Sequence, residues 1–467
     1  MKENKMGSME VKKLIMTMSL PIMVSMLVQA LYNIVDSMFV ARVSEDALAA
    51  VSLCYPIQMI LVAVACGTGV GVNALLSRYL GQKNKKDASQ VALHGILLSI
   101  VNGAVFALLG IFFSEMFLRL FTDNAAILEM GISYMRICTI FSFGVFVQIT
   151  YERIMQSTGN TVYNMIIQGV GALTNIILDP IFIFGYFGVP AMGVAGAAIA
   201  TVIGQMVAML LGIVITNRKV KEIDLNLRSF QLHMPMIKDM YRIGVPAIMM
   251  QSIMSFMTVF MNMILVGFSA LAVSVFSIYF KLQQFVFMAV SGMNNALIPI
   301  ISYNYGARKK ERILESIHFA LVIAIVIMVV GTVVFQLIPE QLLYLFDAKE
   351  EMLAIGVPAL RIISISFGFA GVSLVLCSVF QSVDHGIKSL VITLLRQMVL
   401  LVPMVYVLAQ MFGLEISWWA FPVTEGICCI LSLWYLRVVK RKTILTIQTA
   451  EEEEEDLVLN NEPVLEA

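Results

Sequence analysis

Charged side chains are scarce in this chain: Asp, Glu, Lys and Arg together make up 13% of its 467 residues. Soluble globular proteins carry about 25% charged residues, so the chain has too little charge to cover a water-soluble domain of this size. Apolar residues make up 59%, and the mean hydropathy is +0.88. The 31 basic and 31 acidic residues cancel, which excludes the basic field that nucleic-acid binding requires. The composition indicates a polytopic membrane protein.

Cysteine pairs of the kind that build disulfides or zinc sites are also missing, because all six cysteines lie in apolar runs without C-x-x-C spacing. The glycine-rich stretch GTGVG (67–71) lies in an apolar run and lacks the strand–turn–helix context of a nucleotide site. The sequence contains no P-loop, no Ser/His/Asp grouping and no metal-spaced cluster. We therefore predict that the protein is not an enzyme and needs no cofactor.

Long apolar runs dominate what is present, and about 20 mostly apolar residues are enough to cross the hydrocarbon core as a helix. The first run follows four lysines and continues too long for a signal peptide. We predict an all-α polytopic membrane protein with twelve transmembrane helices. Their approximate limits are residues 14–41, 48–77, 88–113, 129–152, 161–184, 191–216, 237–266, 270–302, 313–338, 352–380, 387–411 and 416–438.

The basic residues test this count. With the N-terminus inside, 24 of the 31 basic residues lie at inner segments, whereas the outer loops hold only Arg42, Arg119 and Lys349. Lys and Arg concentrate on the cytoplasmic side of membrane proteins. We therefore expect a multi-pass protein of the cell membrane, monomeric, with both termini in the cytoplasm.

The two halves of the chain resemble each other at a fixed offset of 225 residues. This shift aligns Pro21 with Pro246, Gly81 with Gly306, Phe121 with Phe346, Gly131 with Gly356, Arg136 with Arg361, Gln156 with Gln381, Ser157 with Ser382, and Gly188 with Gly413. Six spans lie between equivalent positions, so the halves are parallel repeats with a pseudo-twofold axis along the membrane normal, as in alternating-access transporters. A duplicated scaffold without a transport role is the alternative.

The repeat divides the chain into five parts. They are a cytoplasmic N-terminal segment (1–13), an N-lobe of helices 1–6 (14–216), a cytoplasmic linker (217–236), a C-lobe of helices 7–12 (237–440), and an acidic, disordered cytoplasmic tail (441–467). We expect a substrate path between the lobes.

Polar residues inside the spans carry the functional prediction. Gln29, Tyr32, Asn33 and Asp36 share one face of span 1, and Asn164, Gln168, Asn175 and Asp179 follow the same pattern in span 5. Both acids lie roughly 8 Å below the outer surface, each with an asparagine one turn away. The pair could share protons or hold Na⁺ at Asp36, Asn175 and Asp179, with Asn33 nearby. The alternative is that each acid makes only a polar helix contact.

The C-lobe lacks this acidic pair. Its span 7 carries a polar face with Gln251, Ser255, Thr258 and Asn262, but positions 36 and 179 map to Met261 and Met404. We therefore place ion coupling in the N-lobe. The residues predicted to line a substrate cavity are Gln29, Tyr32, Gln168, Gln251, Thr258 and Asn262.

Three C-lobe charges, Lys281, Arg396 and Glu425, lie about ten residues from a membrane face. Charges inside a bilayer are costly, so we predict an intramembrane network in which they compensate each other. For His94 and Glu152, nearer the cytoplasmic side, we expect interfacial positions.

Several motifs together resemble the multidrug and toxic compound extrusion (MATE) family of bacterial secondary transporters, from about residue 14 to 440. They are SLP (19–21), YNIVDSMFVAR (32–42), QSTGNT (156–161), NIILDPIFI (175–183), GVAGAAIAT (193–201), ISYNYGARKKER (301–312) and LLRQMVLLVP (394–403). The resemblance implies an antiporter that exports cationic or amphipathic compounds while H⁺ or Na⁺ enters.

The resemblance also assigns roles to residues. It implies ion coupling at Asp36, Asn175 and Asp179, and bending of helix 1 at Pro21, where the missing backbone donor allows a hinge. Some members of the family carry coupling acids in C-lobe spans 7 and 10. This chain has none there, so we expect no C-lobe sodium site. A flippase for lipid-linked saccharides is the main alternative function, and it would require cationic residues lining the cavity, for which only Arg396 and Lys281 are available.

Overall fold

Eighteen α-helices account for most of the residues described by the structure, a computed structural model that covers residues 4–346 and 348–447. The helices are α1 (Lys5–Ser8), α2 (Val11–Ala41), α3 (Glu45–Gly81), α4 (Lys85–Leu118), α5 (Ala125–Ile140), α6 (Phe143–Ser157), α7 (Thr161–Phe184), α8 (Gly193–Lys219), α9 (Met234–Val266), α10 (Ala270–Gly306), α11 (Lys310–Leu337), α12 (Pro339–Tyr344), α13 (Glu350–Ser364), α14 (Phe367–Ser382), α15 (Gly386–Leu394), α16 (Leu401–Phe412), α17 (Leu414–Ser417) and α18 (Ala420–Val439).

Within the described residues, ten helical segments are long and apolar enough to cross a membrane alone, and two bent pairs bring the number to twelve. The pairs are α5 with α6, bent by 43°, and α13 with α14, bent by 49°. These breaks follow residues 140 and 364, so they fall at nearly equivalent positions of the two repeats. The prediction of an all-α polytopic protein with twelve spans is confirmed. We expected bends in the longest runs, but α3 and α10 continue through internal prolines.

The eleventh span is interrupted by a π-helical stretch at Leu395–Val399, which joins α15 to α16. Such a stretch inserts one extra residue into a helix and rotates the side chains that follow. It contains Arg396, one of the predicted intramembrane charges.

The spans alternate in direction, which places both described ends of the chain on the same face of the bundle. We call it the basic face. It is formed by residues 4–10, 82–84, 158–160, 220–233, 307–309, 383–385 and 440–447. Residues 448–467, which hold most of the predicted acidic tail, lie outside the described residues.

The linker between the lobes is fixed to α4. The Gln90 amide donates to the Ser229 carbonyl oxygen (2.6 Å), and the backbone N–H of His233 donates to His94 Nε2 (2.9 Å). His94 Nδ1 in turn contacts the Gln90 carbonyl oxygen at 2.7 Å. His94 is fully buried, so the expectation of an interfacial position was wrong: the folded linker covers the ring.

The two lobes meet through glycines at equivalent positions. A β-carbon at Gly67 would lie 2.7 Å from the Ile248 backbone nitrogen, and one at Gly292 would lie 3.0 Å from the α-carbon of Met23. The offset of 225 converts the first contact into the second. Because only glycine permits this approach, α3 packs against α9 and α10 packs against α2 with their backbones nearly touching.

Gly81 and Gly306 repeat this arrangement at the basic face. A β-carbon at Gly81 would meet the Tyr303 carbonyl oxygen, and one at Gly306 would meet the Arg78 carbonyl oxygen. Positions 78 and 303 are themselves equivalent, so the pseudo-twofold axis passes between these helix ends. The lobes are therefore in backbone contact at the basic face.

Candidate functional site

Two adjacent helices of the N-lobe, α2 and α7, bring the predicted acids together. Asp179 on α7 is fully buried, and Asp36 on α2 is half-buried. Their carboxyl groups lie within hydrogen-bonding reach of each other. A carboxylate is only an acceptor, so this contact requires a shared proton or a bound cation between the two groups.

Asn175 completes this centre one turn before Asp179. Its amide nitrogen lies 3.3 Å from Asp179 Oδ1 and 3.3 Å from the Thr201 hydroxyl on α8. The Asn175 side chain therefore directs its nitrogen toward its neighbours and leaves its oxygen available. The sequence prediction missed Thr201, although it ends the quoted motif GVAGAAIAT.

Several buried oxygens around this centre have no hydrogen-bond partner among the described residues. They are Asp36 Oδ1, Asp179 Oδ2, Asn164 Oδ1, Gln168 Oε1 and Asn175 Oδ1. Buried polar atoms are normally satisfied, so a cluster of unsatisfied oxygens indicates a place for a proton or cation. Carboxylate and amide oxygens are hard ligands of the type that small cations prefer. The described residues contain no group of three or more His, Cys, Asp or Glu side chains that could hold a metal ion.

The remaining predicted N-lobe residues surround the acid pair unequally. Tyr32 is half-buried, and its hydroxyl lies within the electrostatic influence of Asp36, Asp179 and Glu152. Gln29 and Asn33 are exposed on α2. They lie on the same helix as Asp36, and Asn33 is one turn before it.

Glu152 belongs to this N-lobe polar region, so the expectation of an interfacial position was wrong. It is 4% exposed. Its two carboxyl oxygens accept hydrogen bonds from the amides of Gln148 and Gln168, both at 3.0 Å. The paired amides explain why a carboxyl group can be buried here. Gln168 was predicted from the sequence, but its pairing with Glu152 depends on how α6 and α7 pack.

The predicted cavity residues of the C-lobe lie on α9. Gln251 is exposed, and Thr258 donates to the Met254 carbonyl oxygen at 3.1 Å. The side-chain oxygen of Asn262 is buried without a hydrogen-bond partner among the described residues.

The structure brings together two of the three predicted C-lobe charges. Arg396 Nε lies 2.7 Å from Glu425 Oε1, and both side chains are largely buried. Lys281 is exposed on α10 and lies apart from this pair, with its ammonium 5.9 Å from the Phe346 ring centre. The ten-residue depth estimate could not distinguish the buried face of α10 from its exposed face.

Helix α2 links the acid pair to the other lobe. It runs without a break from Val11 to Ala41 through Pro21, and Ser25 donates to the Pro21 carbonyl oxygen at 2.9 Å. Its middle part contacts α10 at Met23 and Met26, and its last part carries Asp36 against α7.

Charged residues close the basic face between the lobes. Arg78 at the end of α3 pairs with Asp384 at 2.5 Å, and its guanidinium stacks over Tyr305 at 4.7 Å. Arg153 donates to Asn295 of the C-lobe at 2.9 Å. All these contacts cross between lobes, so they must break if the lobes separate at this face.

The N-terminal segment adds a further bridge. The Asn4 amide donates to the Thr158 carbonyl oxygen of the N-lobe (3.3 Å), whereas Arg312 of the C-lobe donates to the carbonyl oxygens of Met6 (3.2 Å) and Met9 (2.6 Å).

Known proteins resemble the chain over nearly its whole length. The family model for MatE matches residues 21–181 and 246–407, and the two matches begin at positions 225 residues apart. The multidrug export protein MepA of Staphylococcus haemolyticus strain JCSC1435 is 26% identical over 441 residues, covering 94% of this chain and 95% of the relative. MepA of Staphylococcus aureus strain MSSA476 is 25% identical over 441 residues, covering 94% and 96%.

Solved structures share the fold. A MATE protein in its bent conformation is 27% identical, with a TM-score of 0.88 over 96% of this chain and 100% of that one. A multidrug resistance MATE family transporter in its outward-facing conformation is 26% identical, with a TM-score of 0.87 over 94% and 98%. The duplicated twelve-span fold, the two equivalent matches to the family model and these structures agree: the chain is a multi-pass membrane transporter, not an enzyme, and it belongs to the MATE family.

Proposed function

We propose that this protein is a secondary active antiporter that exports cationic or amphipathic organic compounds across the cell membrane in exchange for H⁺ or Na⁺. The observation that carries the proposal is the contact between Asp36 and Asp179, with the unpartnered oxygen of Asn175 beside it. Family membership and the similarity to proteins named as multidrug exporters support the substrate class.

The chemistry of exchange follows from charge. A proton or Na⁺ neutralises part of the negative charge of the acid pair, and an organic cation interacts favourably with the same charge when the ion has left. The two therefore compete, which is the requirement for antiport. Each charge that moves down a potential of 100 mV supplies about 2.3 kcal/mol, equivalent to a gradient of about fiftyfold.

Alternating access follows from the position of α2. The helix carries Asp36 in the N-lobe and contacts the C-lobe through Met23 and Met26. Occupation of the acid pair can change the packing of α2 on α7 and, with Pro21 as a hinge, its packing on α10. By the positive-inside rule, the basic face is cytoplasmic, so the lobes of this conformation are closed toward the cytoplasm.

A flippase for lipid-linked saccharides is the alternative, and it would use cationic residues in the cavity. Arg396 is buried and paired with Glu425, so its charge is already compensated. Lys281 is the remaining candidate. These two positions give the flippase alternative less support than the acid pair gives the antiporter.

The test is transport in liposomes. Purified protein is reconstituted, a pH or a Na⁺ gradient is imposed separately, and efflux of a fluorescent organic cation is followed. We expect one gradient to drive efflux in wild type, and Asp36→Asn and Asp179→Asn to abolish it. Asp46→Asn, an exposed acid at the start of α3, is the matched control and retains wild-type efflux. If neither gradient drives any of several organic cations, the antiporter proposal fails and the flippase becomes the leading hypothesis.

A further inference from the structure

An open cavity of about 710 Å³ lies on the basic face where the two lobes meet. The N-lobe contributes Gly81, Gln82 and Lys83 to its lining, and the C-lobe contributes residues 305–308. The end of the described chain, Thr446 and Ile447, completes the lining. The cavity is thus formed by both lobes and by the point from which the C-terminal tail continues.

The two loops that line the cavity are equivalent and carry a cation at the same position. Lys83 and Arg308 are 225 residues apart, and both adopt the left-handed conformation with φ of 58°. Hydrogen bonds from Asn84 N to the Tyr79 carbonyl oxygen (3.0 Å) and from Lys309 N to the Asn304 carbonyl oxygen (2.9 Å) close the two helix ends. Glycine is strongly preferred at this position because a β-carbon is crowded there.

A charged residue in place of that glycine has a visible purpose at another site on this face. Asp384 also has a positive φ, of 63°, and it forms the ion pair with Arg78 across the lobes. Its equivalent in the N-lobe, Gly159, has a φ of 82° and is the residue type that this conformation favours. The strained cations Lys83 and Arg308 accordingly point to a charged contact at the cavity.

The charge around the cavity is strongly positive. Residues 82–86 and 307–312 contain a single acid, Glu311. Their basic residues are Lys83, Lys85, Lys86, Arg308, Lys309, Lys310 and Arg312. Arg437, Lys440, Arg441 and Lys442 precede the cavity along the chain. An anionic segment that carries several charges is the ligand that such a surface attracts.

The chain itself supplies such a segment. Six consecutive acids, Glu451–Glu455 and Asp456, begin four residues after Ile447. An extended chain spans at most about 3.6 Å per residue, so Glu451 reaches no farther than about 14 Å from the cavity wall. A short tether of this kind gives an effective concentration on the order of millimolar.

We propose that the acidic segment 451–456 binds in this cavity against the loops that carry Lys83 and Arg308, and so joins the two lobes across the basic face. Anionic lipid headgroups share the chemistry, but the tether favours the tail. Binding of the segment stands on the cavity and its charge. That it slows the opening of the basic face rests on the proposed alternating-access function, because the two loops must then move apart.

The first test is hydrogen–deuterium exchange of the full-length protein in nanodiscs. In the variant with Glu451–Glu455→Gln and Asp456→Asn, we expect backbone amides of residues 81–86 and 306–312 to exchange about tenfold faster, since each partly exposed ion pair contributes about two- to fivefold. The matched control neutralises Glu462 and Glu466 of the same tail and keeps wild-type exchange. Raising the salt from about 0.05 M to about 0.5 M gives the same acceleration in wild type.

Loop variants test the other partner. Lys83→Glu combined with Arg308→Glu is expected to accelerate exchange as much as the neutralised tail does, and the two changes together add nothing further. Changing the six tail acids to Lys in the loop variant restores protection. Lys221→Glu, an exposed cation of the linker, leaves exchange unchanged.

A covalent test is independent of loop stability. Lys83→Cys paired with Glu453→Cys is expected to form a disulfide under mild oxidation, whereas Lys221→Cys paired with Glu453→Cys is not. The proposal is overturned if neutralising the tail leaves exchange unchanged, or if protection survives neutralisation and disappears only when anionic lipid is omitted. Neither readout requires transport, so the outcome of the liposome assay does not decide this proposal.

Discussion

Alanine at Gly81 or Gly306 is expected to open the basic face. A methyl group at Gly81 would overlap the Tyr303 carbonyl oxygen and lie 2.9 Å from the Ala307 backbone nitrogen. At Gly306 it would overlap the Arg78 carbonyl oxygen and lie 2.9 Å from the carbonyl carbon. These obstacles are backbone atoms, which cannot rotate away, so relief requires the lobes to separate.

The magnitude follows from the cost of overpacking, about 1–3 kcal/mol. The overlap exists only while the lobes touch, so each variant should raise the ratio of open to closed molecules about 5- to 150-fold. Gly426→Ala is the matched control. Its added methyl group would meet nothing within 4 Å, so alanine there should leave the ratio unchanged and slightly stabilise α18.

The assay is a spin-label distance between Lys86→Cys and Glu311→Cys, exposed and equivalent positions of the two lobes, in a background without the six native cysteines. Gly81→Ala and Gly306→Ala should each increase the long-distance population, and by similar amounts because the contacts are equivalent. If both variants give the wild-type and Gly426→Ala distance distribution, backbone contact at these glycines does not control closure, and the reasoning is refuted.

Three further predictions concern charged groups. Breaking the Arg78–Asp384 pair by Arg78→Gln or Asp384→Asn should raise the same open population about fivefold, with the double variant little different from either single one; additive effects in this double-mutant cycle would contradict direct pairing. Arg396→Ala or Glu425→Ala should destabilise the C-lobe by about 3–5 kcal/mol in thermal unfolding, whereas Arg396→Met with Glu425→Leu should restore most of it; an equally unstable double variant would argue against a compensating pair. Burial and the Lys388 cation lower the pKa of His385 below its ordinary 6.5, so protonation is easier after unfolding, and the stabilising contact with Thr443 should weaken as the pH falls through 6.5; His385→Gln should flatten the stability profile from about pH 7.5 to 5.5, and an unchanged slope would exclude this residue.

Most of the fold could be predicted because a bilayer imposes simple rules on a chain. Apolar runs of the required length predicted twelve spans, and the structure places them within a few residues of the expected limits. The breaks in the fourth and tenth spans were not predicted. Neither break contains a proline, and hydropathy averaged over a window does not register a change of helix direction.

The candidate site could be predicted only in part. The acids at positions 36 and 179 stood out because carboxyl groups in apolar runs are rare, and the structure places them together. Lys281 stood out for the same reason, yet it faces away from Arg396. A charge in a span signals its own cost but does not identify its partner, since that depends on the rotation of each helix.

Composition, hydropathy and the repeat thus determined by themselves that this is a duplicated, twelve-span membrane protein, because those properties depend on residue type and linear spacing alone. Only the tertiary structure decided that Glu152 is buried against Gln168, that Arg78 pairs with Asp384, and that the two lobes touch through their glycines. These contacts join residues whose helices must first cross at a particular height and angle. Packing of the whole bundle sets that geometry.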